Sequence, residues 1–171
     1  ETGLALRRRG SMVENGIPLR PEGRLVENLI DKLPFSLTKA QRRAFEEIKE
    51  DMARPSPMNR LIQGDVGSGK TLVALLSALL AVEAGYQVAF MAPTELLAEQ
   101  HYRTFTELLN GEGVSIRLLT GSLSSTLKHK TRKEIETGEA DIVVGTHALI
   151  QEGVIFPRLA LGVIDEQHRF G

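Results

Sequence analysis

Cysteine is absent from the 171 residues. That excludes a disulfide framework and a cysteine-based zinc site, and the expected setting is a reducing, cytoplasmic one. An excess of positive charge is absent as well. Lys plus Arg number 21 and Asp plus Glu 22, for a formal net charge of -1. Any contact with a polynucleotide must therefore come from local patches or backbone amides, not from a basic domain. No apolar run approaches the roughly 20 residues needed to span a bilayer, so no membrane role is expected. The stretch from Glu1 to Gly10 is polar and arginine-rich and lacks the apolar centre of a secretory signal. There is no internal repeat and no low-complexity tract. What is present is 42% hydrophobic and 25% charged, the make-up of one globular domain with a core of its own.

Residues 1–24 carry Arg7, Arg8 and Arg9, then Gly10, Gly16, Pro18, Pro21 and Gly23, which reads as loop or linker. The arginine run is either a solvated helix end or a phosphate contact. Leu25, Val26, Leu29, Ile30 and Leu33 repeat at helical spacing up to Pro34 and predict a short docking helix. The expected division is therefore 1–34, linker plus docking helix, and 35–171, the main domain. From Phe35 onward helices and strands alternate. Helices are predicted over 38–52, 69–84, 94–110 and 124–137. Strands are predicted over 60–63, 87–92, 115–119, 141–145 and 159–164. The core strands are nearly continuous apolar runs, as in VAFMA, IVVG and LGVID. Such runs suit parallel strands covered on both faces. The fold class is α/β, a mostly parallel sheet with helices on both faces. Ligands in such sheets bind at the carboxyl ends of the strands.

Gly64-Asp65-Val66-Gly67-Ser68-Gly69-Lys70-Thr71 fits the P-loop pattern G-x-x-x-x-G-K-[ST]. Its glycines let the backbone curl so that several N–H groups point at one phosphate. The helix that follows turns its positive end toward the same anion. Lys70 reaches the outer phosphates and the Thr71 hydroxyl ligates Mg²⁺. The Gly67-x-Gly69 pair is no dinucleotide fingerprint, because the third glycine and the ribose-binding acid are missing. A second acidic site closes the apolar strand LALGVID. Asp165 there suits a metal, and the adjacent Glu166 suits a water-activating base. Small-molecule kinases need no such Glu, and the guanine-reading element N-K-x-D is absent. ATP hydrolysis is the chemistry these features point to.

Four blocks carry a family resemblance: QGDVGSGKT (Gln63–Thr71), MAPTELLAEQH (Met91–His101), VGTHALIQ (Val144–Gln151) and DEQHRFG (Asp165–Gly171). Together they resemble the first motor domain of the RecG-type DNA helicases of superfamily 2, from about Leu4 to the last residue. The transcription-repair coupling factor and the primosomal helicase have related blocks. A translocase of either kind, or a fragment that binds nucleotide and DNA without turnover, stays open as an alternative.

The resemblance implies a RecA-like domain that uses ATP and Mg²⁺, with Lys70, Asp165, Glu166 and His168 catalytic. Thr71 and Asp165 would hold the metal. It implies a monomeric motor acting on branched or forked DNA, in branch migration and fork regression. Phe35-x-Leu37-Thr38-x-x-Gln41 is similar to the adenine-reading segment, with Gln41 on the base edge. Pro93, Thr94 and Glu95 resemble the first DNA-contact motif; Thr120-Gly121 and Thr146-His147 resemble further ones. His168 is similar to residues that couple the γ-phosphate state to DNA movement. His101 and His129 read as surface helix residues. Lys128, Lys130, Arg132 and Lys133 make a basic helix, either a solvated face or a DNA-facing patch. A second motor domain with arginine fingers and an N-terminal wedge domain are expected outside this chain. Without them residues 1–171 should hydrolyse ATP poorly and not unwind DNA.

Overall fold

The computed structural model describes residues 5–8, 21–54, 60–65, 69–147, 150 and 152–166, with backbone alone for 5–8, 60–65 and 166. Six strands form one sheet: β1 (Ala5–Arg8), β2 (Arg60–Asp65), β3 (Gln87–Ala92), β4 (Ile116–Leu119), β5 (Ile142–Thr146) and β6 (Leu159–Glu166). Their spatial order is β1-β2-β6-β3-β5-β4. The last five are parallel, and β1 runs antiparallel to β2 along the edge. The helices are α1 (Arg24–Lys32), α2 (Lys39–Met52), α3 (Lys70–Glu83), α4 (Glu95–Leu108) and α5 (Ser125–Glu136).

Composition explains the layers. α3 reads KTLVALLSALLAVE, apolar almost all round, and its residues from Val73 to Ala81 are all buried. A helix of that kind must be covered on several sides. It lies on the sheet with one side and receives α1 and α2 on others. With α4 it covers Val88, Phe90, Ala92, Ile142, Val144, Leu161 and Val163, one face of the central strands. The opposite face carries Ala89, Met91, Val143 and Ile164, with Leu119 beside them, and is covered by Ile135 of α5, Ile150, Val154 and Phe156. Alternate residues of the central strands thus feed two cores, as both-face coverage requires.

The linker reading of 1–34 needs one correction. Ala5–Arg8 pairs with Arg60–Gln63 as an edge strand, so Arg7 and Arg8 lie in the sheet rather than at a helix end. The docking helix is present as α1, with Val26 and Leu29 buried. Its start is held by the Glu83 carboxylate, which accepts from the amides of Gly23 (2.9 Å) and Leu25 (2.9 Å). At its far end Lys32 meets Glu112 at 2.6 Å. Among the described residues no helix is long and apolar enough to cross a membrane.

Candidate functional site

Strand order brings the chemistry-bearing blocks to one edge. β2 leads into the P-loop and lies beside β6, with Gly64 opposite Asp165 and Asp65 opposite Glu166. Adjacent strands stand about 4.8 Å apart, so the loop springs from the edge that carries the two acids. Val66, Gly67 and Ser68 lie outside the described residues, as do His168 and the side chain of Glu166.

α3 begins directly after the loop. Gly69 is its N-cap residue, with φ +78°, and no side chain caps the helix there. A left-handed φ favours glycine. A Cβ on Gly69 would stand 2.3 Å from Gln41 Nε2 and push that side chain off the loop end. Gln41 itself is committed to two contacts. Thr38 Oγ1 accepts from the Gln41 amide (3.1 Å), and Gln41 Oε1 accepts from the Thr38 amide (2.9 Å), a reciprocal capping box at the start of α2. Gln41 Nε2 donates to the carbonyl of Gly69 at 3.4 Å. The segment upstream of Gln41 thus buttresses the end of the P-loop. In that segment Leu37 is buried and Phe35 is exposed.

The remaining blocks line up along the same edge. β3 ends at Ala92, opposite Thr146 of β5. Pro93 follows, exposed. Thr94 caps α4, its hydroxyl accepting from the Leu97 amide at 3.2 Å. Glu95 reaches sideways so that its Oε2 lies 2.8 Å from where a Cβ of Gly121 would stand. Thr120 beside it is buried, and its hydroxyl meets that of Ser122 at 3.3 Å. Thr146 and His147 are half-buried at the end of β5. Pro93–Glu95, Thr120–Gly121 and Thr146–His147 come from three strand ends. They form one ledge beside the acids, as the strand order requires.

One residue contradicts its sequence reading. His101 is not a surface residue: it is 8% exposed, and its Nε2 lies 2.6 Å from Oδ2 of Asp165, itself 7% exposed. The ring sits against Phe90 (centroids 5.1 Å) and is stacked on Phe105 (5.7 Å). The signal was in the spacing. Ala98, His101 and Phe105 recur at i, i+3 and i+7, one face of a helix, and that face is buried. His129 is exposed, as expected, on the opposite side of the sheet with α5. Lys130 and Lys133 are exposed with it.

The chain belongs to the DEAD/DEAH box helicase family, which it matches over residues 38–171. Individual relatives narrow this. It is 58% identical over 142 residues to the ATP-dependent DNA helicase RecG of Aquifex aeolicus (strain VF5), covering 83% of this chain and 18% of that protein. Against RecG of Acidithiobacillus ferridurans the identity is 49% over 170 residues, covering 98% and 25%. The solved structure of RecG bound to a three-way DNA junction aligns with a TM-score of 0.81 and 52% identity, over 92% of this chain and 22% of that one. The DUF1998 helicase MrfA, 22% identical with a TM-score of 0.61, shares the fold. The chain spans about a fifth to a quarter of the length of the RecG proteins compared.

Proposed function

We propose that this chain is the nucleotide-binding first motor domain of a RecG-type, ATP-dependent DNA helicase. The observation that carries the reading is the register of β2 on β6, which sets the P-loop strand beside Asp165 and Glu166 with α3 starting at Lys70. In that geometry the amides at the start of α3 take an outer phosphate. Lys70 adds a positive charge to the same group. Gln41 holds the loop end and reads the adenine edge. Glu166 orients the attacking water and accepts its proton.

The donors at hand suit magnesium. Asp165 offers a carboxylate and Thr71 a hydroxyl, both hard oxygen ligands. Among the described residues no group of three His, Cys, Asp or Glu side chains could hold a metal alone. Phosphate and water would then complete the shell, as is usual for this ion. When bound, the ion neutralises charge on the outer phosphates.

The ledge of Pro93–Glu95, Gly121 and Thr146–His147 contacts a DNA backbone, while Thr120, expected to join them, is itself buried. With a net charge of -1 over the chain, that contact relies on hydroxyls and amides at strand and helix ends. His168 reports the state of the γ-phosphate to that ledge. In the intact protein the activity is ATP-driven remodelling of branched or forked DNA, working as a monomer. The test is ATP hydrolysis by the intact protein with forked, linear duplex and no DNA. Strong stimulation that is greatest with forks supports the reading. Turnover indifferent to DNA contradicts it.

A further inference from the structure

Asp165 has a partner that the ATP chemistry above does not use. It rests on His101, from a helix that packs over β3 and β5 rather than from the loop or from β6. β6 alternates, so Asp165 shares a face with Leu161 and Val163, the face covered by α3 and α4. A carboxylate there loses most of its hydration and needs a donor. His101 supplies it. A carboxylate in its ionised form only accepts, so for that form the 2.6 Å contact requires the hydrogen on Nε2.

The ring is not free to swing. Phe90 and Phe105 pack against it and against each other, with centroids 4.9 Å apart. A histidine clamped between aromatics and bonded at one nitrogen fixes the rotation of the group it holds. One oxygen of Asp165 is thereby occupied, and the other is kept in a set direction. Ligating carboxylates commonly depend on such partners, and loss of the partner costs about 10–100-fold in metal affinity.

We infer that His101 is a positioning residue: its Nε2–H holds the Asp165 carboxylate in the orientation that accepts the nucleotide-bound magnesium. This rests on the reading of Asp165 as the metal-site acid. His101 also rides on α4, seven residues beyond the Thr94 cap, or about 10 Å along the helix. The same rigid element thus carries one end of the DNA ledge and the support of the acid.

Packing alone and positioning predict different outcomes. A packing defect weakens the fold and every nucleotide complex alike. A positioning defect weakens only the magnesium-dependent part. The side chains that separate them are amides. The Gln nitrogen reaches about as far as Nε2, whereas that of Asn matches Nδ1 and stops short of Asp165. The experiment titrates magnesium against a fluorescent ATP analogue bound to the intact protein, as wild type, His101→Asn and His101→Gln. His101→Asn should need about tenfold or more magnesium for half-maximal tight binding, and His101→Gln about threefold at most. Affinity in the presence of a chelator should stay within about twofold for both. An unchanged magnesium requirement in His101→Asn overturns the inference. So does an equal loss with and without magnesium.

Nucleotide-free wild type gives a second readout. Nitrogen NMR of the His101 ring should find the hydrogen on Nε2, and a hydrogen on Nδ1 alone contradicts the inference. Asp165→Asn separates this proposal from its foundation. If that variant keeps the wild-type magnesium dependence, Asp165 is not the metal-site acid, and the reading above falls together with the role of His101. If Asp165→Asn loses the dependence and His101→Asn keeps it, the role of His101 alone falls.

Discussion

Among the described residues three helices are capped by a side chain at their own amino end, α1 is held by a carboxylate of another helix, and α3 has no side-chain cap. Thr38, Thr94 and Ser124 each accept from a backbone amide of the helix they precede. α1 borrows Glu83, whose carboxylate takes two amides at its start. α3 begins at Gly69, where no side-chain cap is present among the described residues. Each helix starts with amides that have no partner inside the helix, and leaving them bare is costly unless something else accepts. α3 follows the loop that springs from the strand edge where the acids stand.

The two edges of the sheet teach the same contrast. At the amino edge, polar groups are spent on the fold. Gln87 is buried, donates to the carbonyls of Ile135 (3.0 Å) and Ala140 (2.9 Å), and accepts from the Arg158 amide (3.0 Å). Asp141 accepts from the Ser115 amide at 2.9 Å, and burial holds its carboxyl above the usual range despite that bond. Arg117 on β4 pairs with Glu134 of α5 at 2.9 Å. At the carboxyl edge glycines let side chains and backbone approach closely: a Cβ would stand 2.3 Å from Gln41 at Gly69 and 2.8 Å from Glu95 at Gly121.

Breaking the contrast at α3 should have the largest effect. Lys70→Ala in the intact protein should cut DNA-stimulated ATP turnover by on the order of 10²–10³-fold with little change in melting temperature. Kinetics together with thermal unfolding check this. At the amino edge the signs reverse. Gln87→Ala strands buried backbone groups and leaves a void, so denaturant unfolding should show a loss of about 3 kcal/mol with nucleotide affinity intact. Gly69→Ala sits between them. The left-handed φ costs about 1–2 kcal/mol, and the methyl displaces Gln41, so ATP affinity should fall along with stability.

Two capped helices sharpen the comparison. Thr94→Ala and Ser124→Ala should each cost about 1 kcal/mol in stability, since both remove one cap. Only Thr94→Ala should also reduce stimulation by DNA, measured at equal folded concentration. The smallest effect is at Glu134. The neighbouring Arg117 guanidinium holds its carboxyl below the usual range. A lowered acid stabilises the fold above its ordinary range and loses that contribution as pH falls through its folded value. Glu134→Gln should therefore cost about 0.5 kcal/mol near neutral pH, and the difference should vanish in acid.

Most of this fold is legible in the sequence, because its signals are local and strong. Apolar runs mark β3, β5 and β6, Thr38, Thr94 and Ser124 mark helix starts, and Gly85 and Gly138 follow helix ends. β1 is not legible. Four residues, two of them arginine, carry too little pattern, and their pairing with β2 spans more than fifty residues. The edge that gathers the site follows from the strand order of a parallel sheet. The His101–Asp165 contact does not, because 64 residues separate the partners. Its one local trace was a polar residue at a core position of an amphipathic helix. Thr38-x-x-Gln41 carried two messages at once, and the capping box among them is plain from spacing.

We propose that the start of α3, between the P-loop strand and Asp165, is a phosphate and metal site. The most direct measurement is a structure of the intact protein with a non-hydrolysable ATP analogue and magnesium. The expected result is the outer phosphates on the amides of Lys70 and Thr71, with the metal between Thr71 and Asp165. Phosphates seated away from the start of α3, or a metal that leaves Asp165 uncontacted, would contradict it.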